Sequence, residues 1–320
     1  MQILKGLKMN QEKVLITGIN GFAGTHLKNL LLKKSYDVYG ISRHSDNEKT
    51  FEADVTDARA VTEAVKKSKP QKIFHLAGQS SVGKSLQFPE VTEKTSADGT
   101  RNIFDACLKN NMNPKILVVS SSEVYGKQEK FPVKEDAVPR PMTSYAKSKL
   151  NQEKICLDYF KKYGMNIVIS RSFSHTGPGQ KETFVCPNFA MQIAKIERKM
   201  QNPIIKVGNL DVARDFSDVR DIVVAYGMAL EKCKSGEIYN ICSSKAYKIK
   251  ELLNMMISMS NVKIKIDTEK NRLRGSDIPY AQGDNTKFCK QTGWKPKIKI
   301  EQTLKDLLDF SRDKISQQPL

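Results

Sequence analysis

No stretch of the 320 residues approaches the roughly 20 consecutive apolar residues of a membrane-spanning helix, so no such helix is expected. Residues 1–12 hold no long apolar run of the secretory kind. They read as a short N-terminal extension, and a cytoplasmic location is the expectation. Histidine is sparse: His26, His44, His75 and His175 show neither HxH nor HxxxH spacing. The six cysteines (Cys107, Cys156, Cys186, Cys233, Cys242 and Cys289) form no CxxC and no close pairs. A zinc site or a disulfide framework is therefore not expected, and buried reduced thiols are. Arginine is scarce as well, at 11 residues against 42 lysines.

The formal charge is +18. The lysines scatter along the whole chain without a long basic block or interleaved aromatics, which is the pattern of solvated faces. Neither nucleic acid nor a membrane surface is an expected partner. Where the rare arginine occurs, two-pronged binding of a phosphate or carboxylate is worth examining. With 39% apolar residues the chain can bury a sizeable core. Its length fits one large α/β domain or two joined lobes.

Short apolar runs at Val14–Thr17, Asp37–Ile41, Lys72–Leu76, Ile116–Ser120 and Asn166–Ser170 read as strands. Segments with helical spacing lie between them: Phe22–Lys34, Asp57–Lys67, Thr100–Asn110 and Tyr145–Tyr163. This alternation predicts an α/β fold, a doubly wound parallel sheet with helices on both faces. Residues 13–172 are expected to form most of that domain, with contributions from later segments. Residues 173–320 carry fewer strands and more loops, as a smaller C-terminal substrate-binding lobe would. There, helices are expected at Phe189–Arg198, Asp221–Lys232, Ile249–Met259 and Ile300–Phe310, with a strand at Ile204–Val207.

The first strand runs into Thr17-Gly18-Ile19-Asn20-Gly21-Phe22-Ala23-Gly24 and then a helix. Gly18 permits a sharp turn, Gly21 lets backbone approach a pyrophosphate, and Gly24 lets the helix pack closely. The helix N-terminus offers amides and a positive dipole to the anion. A dinucleotide is the expected ligand. At the end of the second strand, Gly40-Ile41-Ser42-Arg43-His44 contains no acid to accept ribose hydroxyls. Arg43 suits a 2′-phosphate there, so NADPH is expected ahead of NADH. Asp54 and Val55 are placed to meet the adenine, although Asp54 could instead cap the helix that starts near Asp57.

Tyr145 and Lys149 lie one helical turn apart and share a face. They follow a strand that ends in Ser120-Ser121-Ser122-Glu123-Val124-Tyr125-Gly126. When a carbonyl is reduced its oxygen gains negative charge, which a phenol can quench with a proton. An ammonium nearby lowers the phenol's pKa and can hold ribose hydroxyls. A hydroxyl such as that of Ser121 steadies the oxygen.

The glycine loop, the Ser-Ser-Ser-Glu-Val-Tyr-Gly run and the Tyr145–Lys149 pair resemble the extended short-chain dehydrogenase/reductase family. So does His75-Leu76-Ala77-Gly78-Gln79-Ser80-Ser81-Val82, similar to the segment that flanks the nicotinamide in that family. The resemblance implies a Rossmann-type sheet and a nucleotide-sugar lobe. It also implies Tyr145 as acid/base, Lys149 as its electrostatic partner and Ser121 as hydroxyl donor. Beside the cofactor it places Gly18, Asn20, Gly21, Phe22, Gly24, Leu76, Ala77, Gly78, Ser96 and His175. Beside the substrate it places Ser80, Ser81, Ser122, Glu123, Ser174, Asn188, Val207 and Asn209, with Arg214 and Arg274 as clamps on the diphosphate. A homodimer through a four-helix seam, formed by the Thr100–Asn110 and Ser144–Tyr163 helices, is implied too.

Within the family, Phe173–Gln180, Val207–Phe216 and Leu273–Pro279 resemble members that act on GDP-linked mannose derivatives. The implied activity is NADPH-dependent reduction of the C4 keto group of a GDP-linked 4-keto-6-deoxyhexose. Two positions depart from the family pattern: Ser174 where asparagine is usual, and Gly275 where proline is expected. Glu123 leaves a dehydratase acting on GDP-mannose open, because related dehydratases use a glutamate there to remove a sugar proton. Another NAD(P)-dependent nucleotide-sugar epimerase or dehydratase, and a non-catalytic, NAD(P)-sensing or RNA-binding member of the fold, are the remaining alternatives.

Overall fold

The computed structural model describes residues 11–45, 47–79, 82–269 and 278–317, the side chains of Val82 and Lys84 excepted. The elements run β1 (Lys13–Thr17), α1 (Phe22–Lys33), β2 (Asp37–Ser42), β3 (Thr50–Glu52), α2 (Ala58–Ser68), β4 (Lys72–His75), α3 (Val82–Gln87) and α4 (Pro89–Lys109). They continue with β5 (Lys115–Ser121), α5 (Ser144–Tyr163), β6 (Ile167–Ser172), β7 (Ser174–Thr176), α6 (Val185–Glu197), β8 (Ile204–Val207), β9 (Ala213–Asp218), α7 (Val219–Lys232) and β10 (Ile238–Ile241). The chain closes with β11 (Ala246–Lys248), α8 (Ile249–Ile257), β12 (Lys265–Thr268), β13 (Tyr280–Ala281), α9 (Thr286–Thr292) and α10 (Ile300–Ser316).

Seven parallel strands form one sheet in the order β10-β6-β5-β4-β1-β2-β3. Strands covered on both faces must be apolar on both, and alternate residues of β1 show why. Leu15 packs with Ile73, Ile116 and the buried faces of α2, α4 and α5. Val14 and Ile16 point the other way, into a layer with Phe74, Leu117, Leu27 of α1, Tyr226 of α7 and Trp294. Each such side chain contributes about 1.5–3 kcal/mol on burial. Strand β10 and helix α7, both from beyond residue 172, complete the sheet and one of its layers.

In the smaller lobe β9 pairs with β7, β11 and β13, while β8 pairs with β12. Helices α6, α8 and α10 close over them around Phe189, Leu252, Met256 and Leu304. Two helices exceed their expected spans by more than a turn. Helix α4 begins at Pro89 rather than Thr100, because Glu90, Val91 and Lys94 face solvent and show no apolar period. Helix α10 continues past the exposed Phe310 because Ser311 and Ile315 are buried again.

Candidate active site

The glycine loop joins β1 to α1 with the spacing that its three glycines require. Gly18 has φ +72° and donates its amide to the Ile41 carbonyl at 2.8 Å. A methyl group on Gly24 would stand 2.2 Å from the Gly18 carbonyl oxygen. Only a residue without Cβ lets α1 start this close to the strand. Gly21 is the N-cap and brings no side chain to the first-turn amides. Asn20 donates to the His44 carbonyl at 3.0 Å and so ties the loop to the segment after β2, where Arg43 is exposed. A backbone cradle opening a helix, with a guanidinium beside it, fits a dinucleotide carrying a 2′-phosphate.

The loop after β4 runs along the other side of this cradle. The Ala77 backbone lies against Gly18, where an added Cβ would meet the Ala77 nitrogen at 3.1 Å. Leu76 and Ala77 are half-buried in the two core layers. One residue on, a Cβ at Gly78 would stand 3.5 Å from the Lys149 amine. The cofactor cradle and the amine thus meet at Leu76–Gly78. Phe22, at the start of α1, stacks on His175 of β7 with centroids 6.0 Å apart, and the His26 ring meets Phe22 edge-on. His175 Nδ1 lies 3.0 Å from the Phe173 carbonyl, and burial lowers its pKa.

Helix α5, capped by Thr143 and ended by Gly164 at φ +64°, carries both Tyr145 and Lys149. Burial pushes the Tyr145 phenol up to about 12, the Ser121 hydroxyl hydrogen-bonds it and opposes the rise, and the Glu123 charge adds to it. Ser121 sits at the end of β5 and accepts the Glu123 amide at 3.2 Å. The Lys149 ammonium donates to the Val119 carbonyl at 2.7 Å and to Gln152 Oε1 at 2.9 Å. Burial holds it down to about 8, with the charges of Cys156 and Glu153 acting against that. The expected lowering of the phenol by Lys149 is not seen. The phenol answers to its own burial, Ser121 and Glu123, and the amine's hydrogen bonds are directed along β5 and α5.

Ser122, Glu123, Ser174 and Arg214 line one recess between the sheet and the smaller lobe, together with Asp215 and Tyr280. Arg214 Nη1 donates to the Ala213 and Ile278 carbonyls. Asp215 accepts from the Ser243 hydroxyl at 2.6 Å and its amide at 2.9 Å, while burial raises its pKa to about 6.

The other expected contact residues are held within the fold. The Val207 side chain is buried in the core of the smaller lobe, because β8 alternates exposed and buried residues and Val207 falls on the inner face. Val55 is likewise a core residue packed against Gly99, and its carbonyl accepts from Asn102 at 2.9 Å. The exposed Asp54 accepts from the Thr56 amide and hydroxyl in a tight turn, and Asp57 rather than Asp54 caps α2. Ser96 is buried in the α4–α5 contact, its hydroxyl 3.3 Å from that of Ser148. Asn188 lies on α6, bonded to Gln192 and the Glu182 carbonyl, and Asn209 closes a turn on the Asp211 amide. Ser80, Ser81 and Arg274 lie outside the described residues.

Sequence reasoning also missed the groups beneath the site. Glu153, one residue after Gln152, takes a forked contact from Arg171 (2.8 Å to Nη2, 3.0 Å to Nε) and the Ser120 hydroxyl at 2.6 Å. An arginine two residues after the apolar run Ile167-Val168-Ile169 was the available signal: burial of that charge demands a carboxylate.

A family model described as GDP-mannose 4,6 dehydratase matches residues 15–307. The chain is similar to GDP-6-deoxy-D-mannose reductase of Pseudomonas aeruginosa, at 30% identity over 96% of this chain and 99% of the relative. It is 27% identical to a GDP-mannose 4,6 dehydratase of Drosophila melanogaster, over 97% and 89% of the two chains. Among solved structures it is similar to RMD from Pseudomonas aeruginosa complexed with NADPH. The TM-score is 0.86 and the identity 30%, covering 94% of this chain and 99% of that one. The match runs along nearly the whole sequence, and the chain belongs to the GDP-mannose 4,6 dehydratase family of extended short-chain dehydrogenases/reductases.

Proposed function

We propose that this protein is an NADPH-dependent reductase of the C4 keto group of GDP-4-keto-6-deoxy-D-mannose, giving GDP-D-rhamnose or its talose epimer. The observation that carries this reading is the Tyr145 phenol bonded by Ser121, with the Lys149 amine against the Gly78 backbone that borders the glycine cradle. Gly18, Gly21 and Gly24 would hold the pyrophosphate and Arg43 the 2′-phosphate. When bound, NADPH supplies the hydride. Ser121 accepts from the Glu123 amide, and the proton that it turns to the phenol here would swing to the substrate oxygen once a substrate is bound. Tyr145 then protonates that oxygen as charge develops on it. A phenol raised to about 12 stays protonated at neutral pH, as an acid in the reductive direction must. Lys149 compensates the phenolate left behind. The recess at Ser122, Glu123, Ser174 and Arg214 holds the GDP-sugar.

Glu123 favours a second reading, a dehydratase acting on GDP-mannose, since its carboxylate faces the same phenol. Purified protein given GDP-4-keto-6-deoxymannose and NADPH is expected to consume the reductant and yield a 4-hydroxy sugar by NMR. Dehydration of GDP-mannose without added reductant, and no NADPH consumption, would replace the reductase by the dehydratase. We further propose a homodimer through α4 and α5. Their exposed groove carries both signs of charge, Glu90, Glu93 and Asp98 against Lys94, Arg101 and Lys147, which suits pairing with a second copy.

A further inference from the structure

A string of buried hydrogen bonds runs beneath the candidate site to Lys149, through four side chains that the chemistry above leaves unused. Thr17 Oγ1 accepts the Ala77 amide at 3.1 Å and lies 2.8 Å from His75 Nδ1. His75 Nε2 is 3.1 Å from Thr100 Oγ1, and Gln152 Nε2 donates to the same oxygen at 2.7 Å. Gln152 Oε1 accepts from Lys149. The side chains of Thr17, His75, Thr100, Gln152 and Lys149 are all buried.

The direction of every bond follows from what each group can do. An ammonium only donates, so the amide oxygen of Gln152 faces Lys149 and its NH₂ faces Thr100. The Thr100 hydroxyl gives its own proton to the Ser96 carbonyl at 2.6 Å. Its oxygen is then an acceptor only, which places the His75 proton on Nε2. Nδ1 is left to accept from Thr17. His75 is fixed as one neutral tautomer, in keeping with burial and the Lys149 charge, which lower it to about 3.

We propose that Gln152, oriented by Thr100 and His75, is a positioning residue for Lys149, so that the amine and the Ala77–Gly78 edge of the cofactor cradle are set as one unit. The proposal rests on the reading of Lys149 as the partner of Tyr145. A lysine on a helix has several rotamers. Gln152 on α5 and the Val119 carbonyl on β5 together select the one that lays the amine beside Gly78. The other titratable or charged groups facing it are Glu153 and Cys156 on α5 and His75 on β4, with Arg171 on β6 paired to Glu153.

The test follows the titration of Lys149 by NMR on ¹³C-lysine-labelled protein without cofactor or substrate, assigned with Lys149→Met. The alkaline limb of kcat/KM is measured beside it. An acceptor on the ammonium favours its charged form. Gln152→Met therefore lowers the midpoint and Gln152→Glu raises it, by about one pH unit each way. Thr100→Val, which frees the Gln152 amide, lowers it by less. The alkaline limb moves in the same directions, since activity needs the charged amine and is lost as pH rises through its midpoint. A simple packing role for Gln152 would lower stability without opposite shifts. If Gln152→Met does not fold, Gln152→Glu and Thr100→Val carry the test. Midpoints unchanged in the folded variants overturn the proposal. Opposite shifts in a chain that does not reduce the keto sugar uphold it and refute the proposed reaction instead.

Discussion

At the scale of single residues, the phenol of Tyr145 is harder to ionise than a free phenol and carries its proton near neutrality. Tyr145→Phe keeps the ring and removes the proton. It is expected to lower kcat by about 10²–10⁴-fold, the usual contribution of a positioned general acid, with NADPH affinity by fluorescence titration unchanged. A variant with wild-type kcat would contradict the assignment. Tyr145 was legible because its spacing to Lys149 and the preceding serine run belong together. Gln152 was not, since a glutamine at i+3 on a polar helix face carries no signal of its own. The scarce arginines misled in part. Arg171, Arg220 and Arg312 do grip carboxylates, but internal ones: Glu153, Asp218 and Glu197.

At the scale of elements, the β1–α1 turn is the feature most directly encoded. Its glycines answer to contacts no other residue could make. Gly24→Ala would drive a Cβ to 2.2 Å from the Gly18 carbonyl oxygen, which is backbone and cannot swing away. A loss of about 1–3 kcal/mol in urea unfolding is expected, as for other overpacked sites, together with weaker NADPH binding. Wild-type stability and affinity in this variant would contradict the account of the cradle. Strands with apolar runs were placed within a residue or two because both their faces are buried. The first half of α4 was hidden because its outer face is polar. Val55 and Val207 lie in segments that resemble ligand-binding ones, and the side chain of each faces the inside of its layer. A motif resemblance locates a segment, but only the packing decides which way its side chains point.

At the scale of the whole molecule, the sheet draws on distant parts of the chain. Strand β10 joins β6 after an excursion of more than 60 residues through the smaller lobe. Alternation of strands and helices predicts a parallel sheet but is silent on such a return, because strand order is decided by packing rather than by local sequence. The long connection between β5 and α5 is pinned across two strands of the sheet, where Arg171 of β6 donates to the Glu135 carbonyl at 3.1 Å and the Asn240 amide of β10 to Glu135 Oε1 at 2.8 Å. Beyond the single chain, the mixed charges along α4 and α5 lead to an expected mass twice the 36.1 kDa protomer in light scattering. A monomer mass with full activity would refute the seam.

The proposed reaction is defined by where the reducing equivalent goes. Incubation of the protein with GDP-4-keto-6-deoxymannose and NADPH deuterated at nicotinamide C4 tests this most directly. Deuterium is expected at C4 of the product sugar by NMR, and only there. A product with hydrogen at C4, or label at C5 or C6, would contradict it.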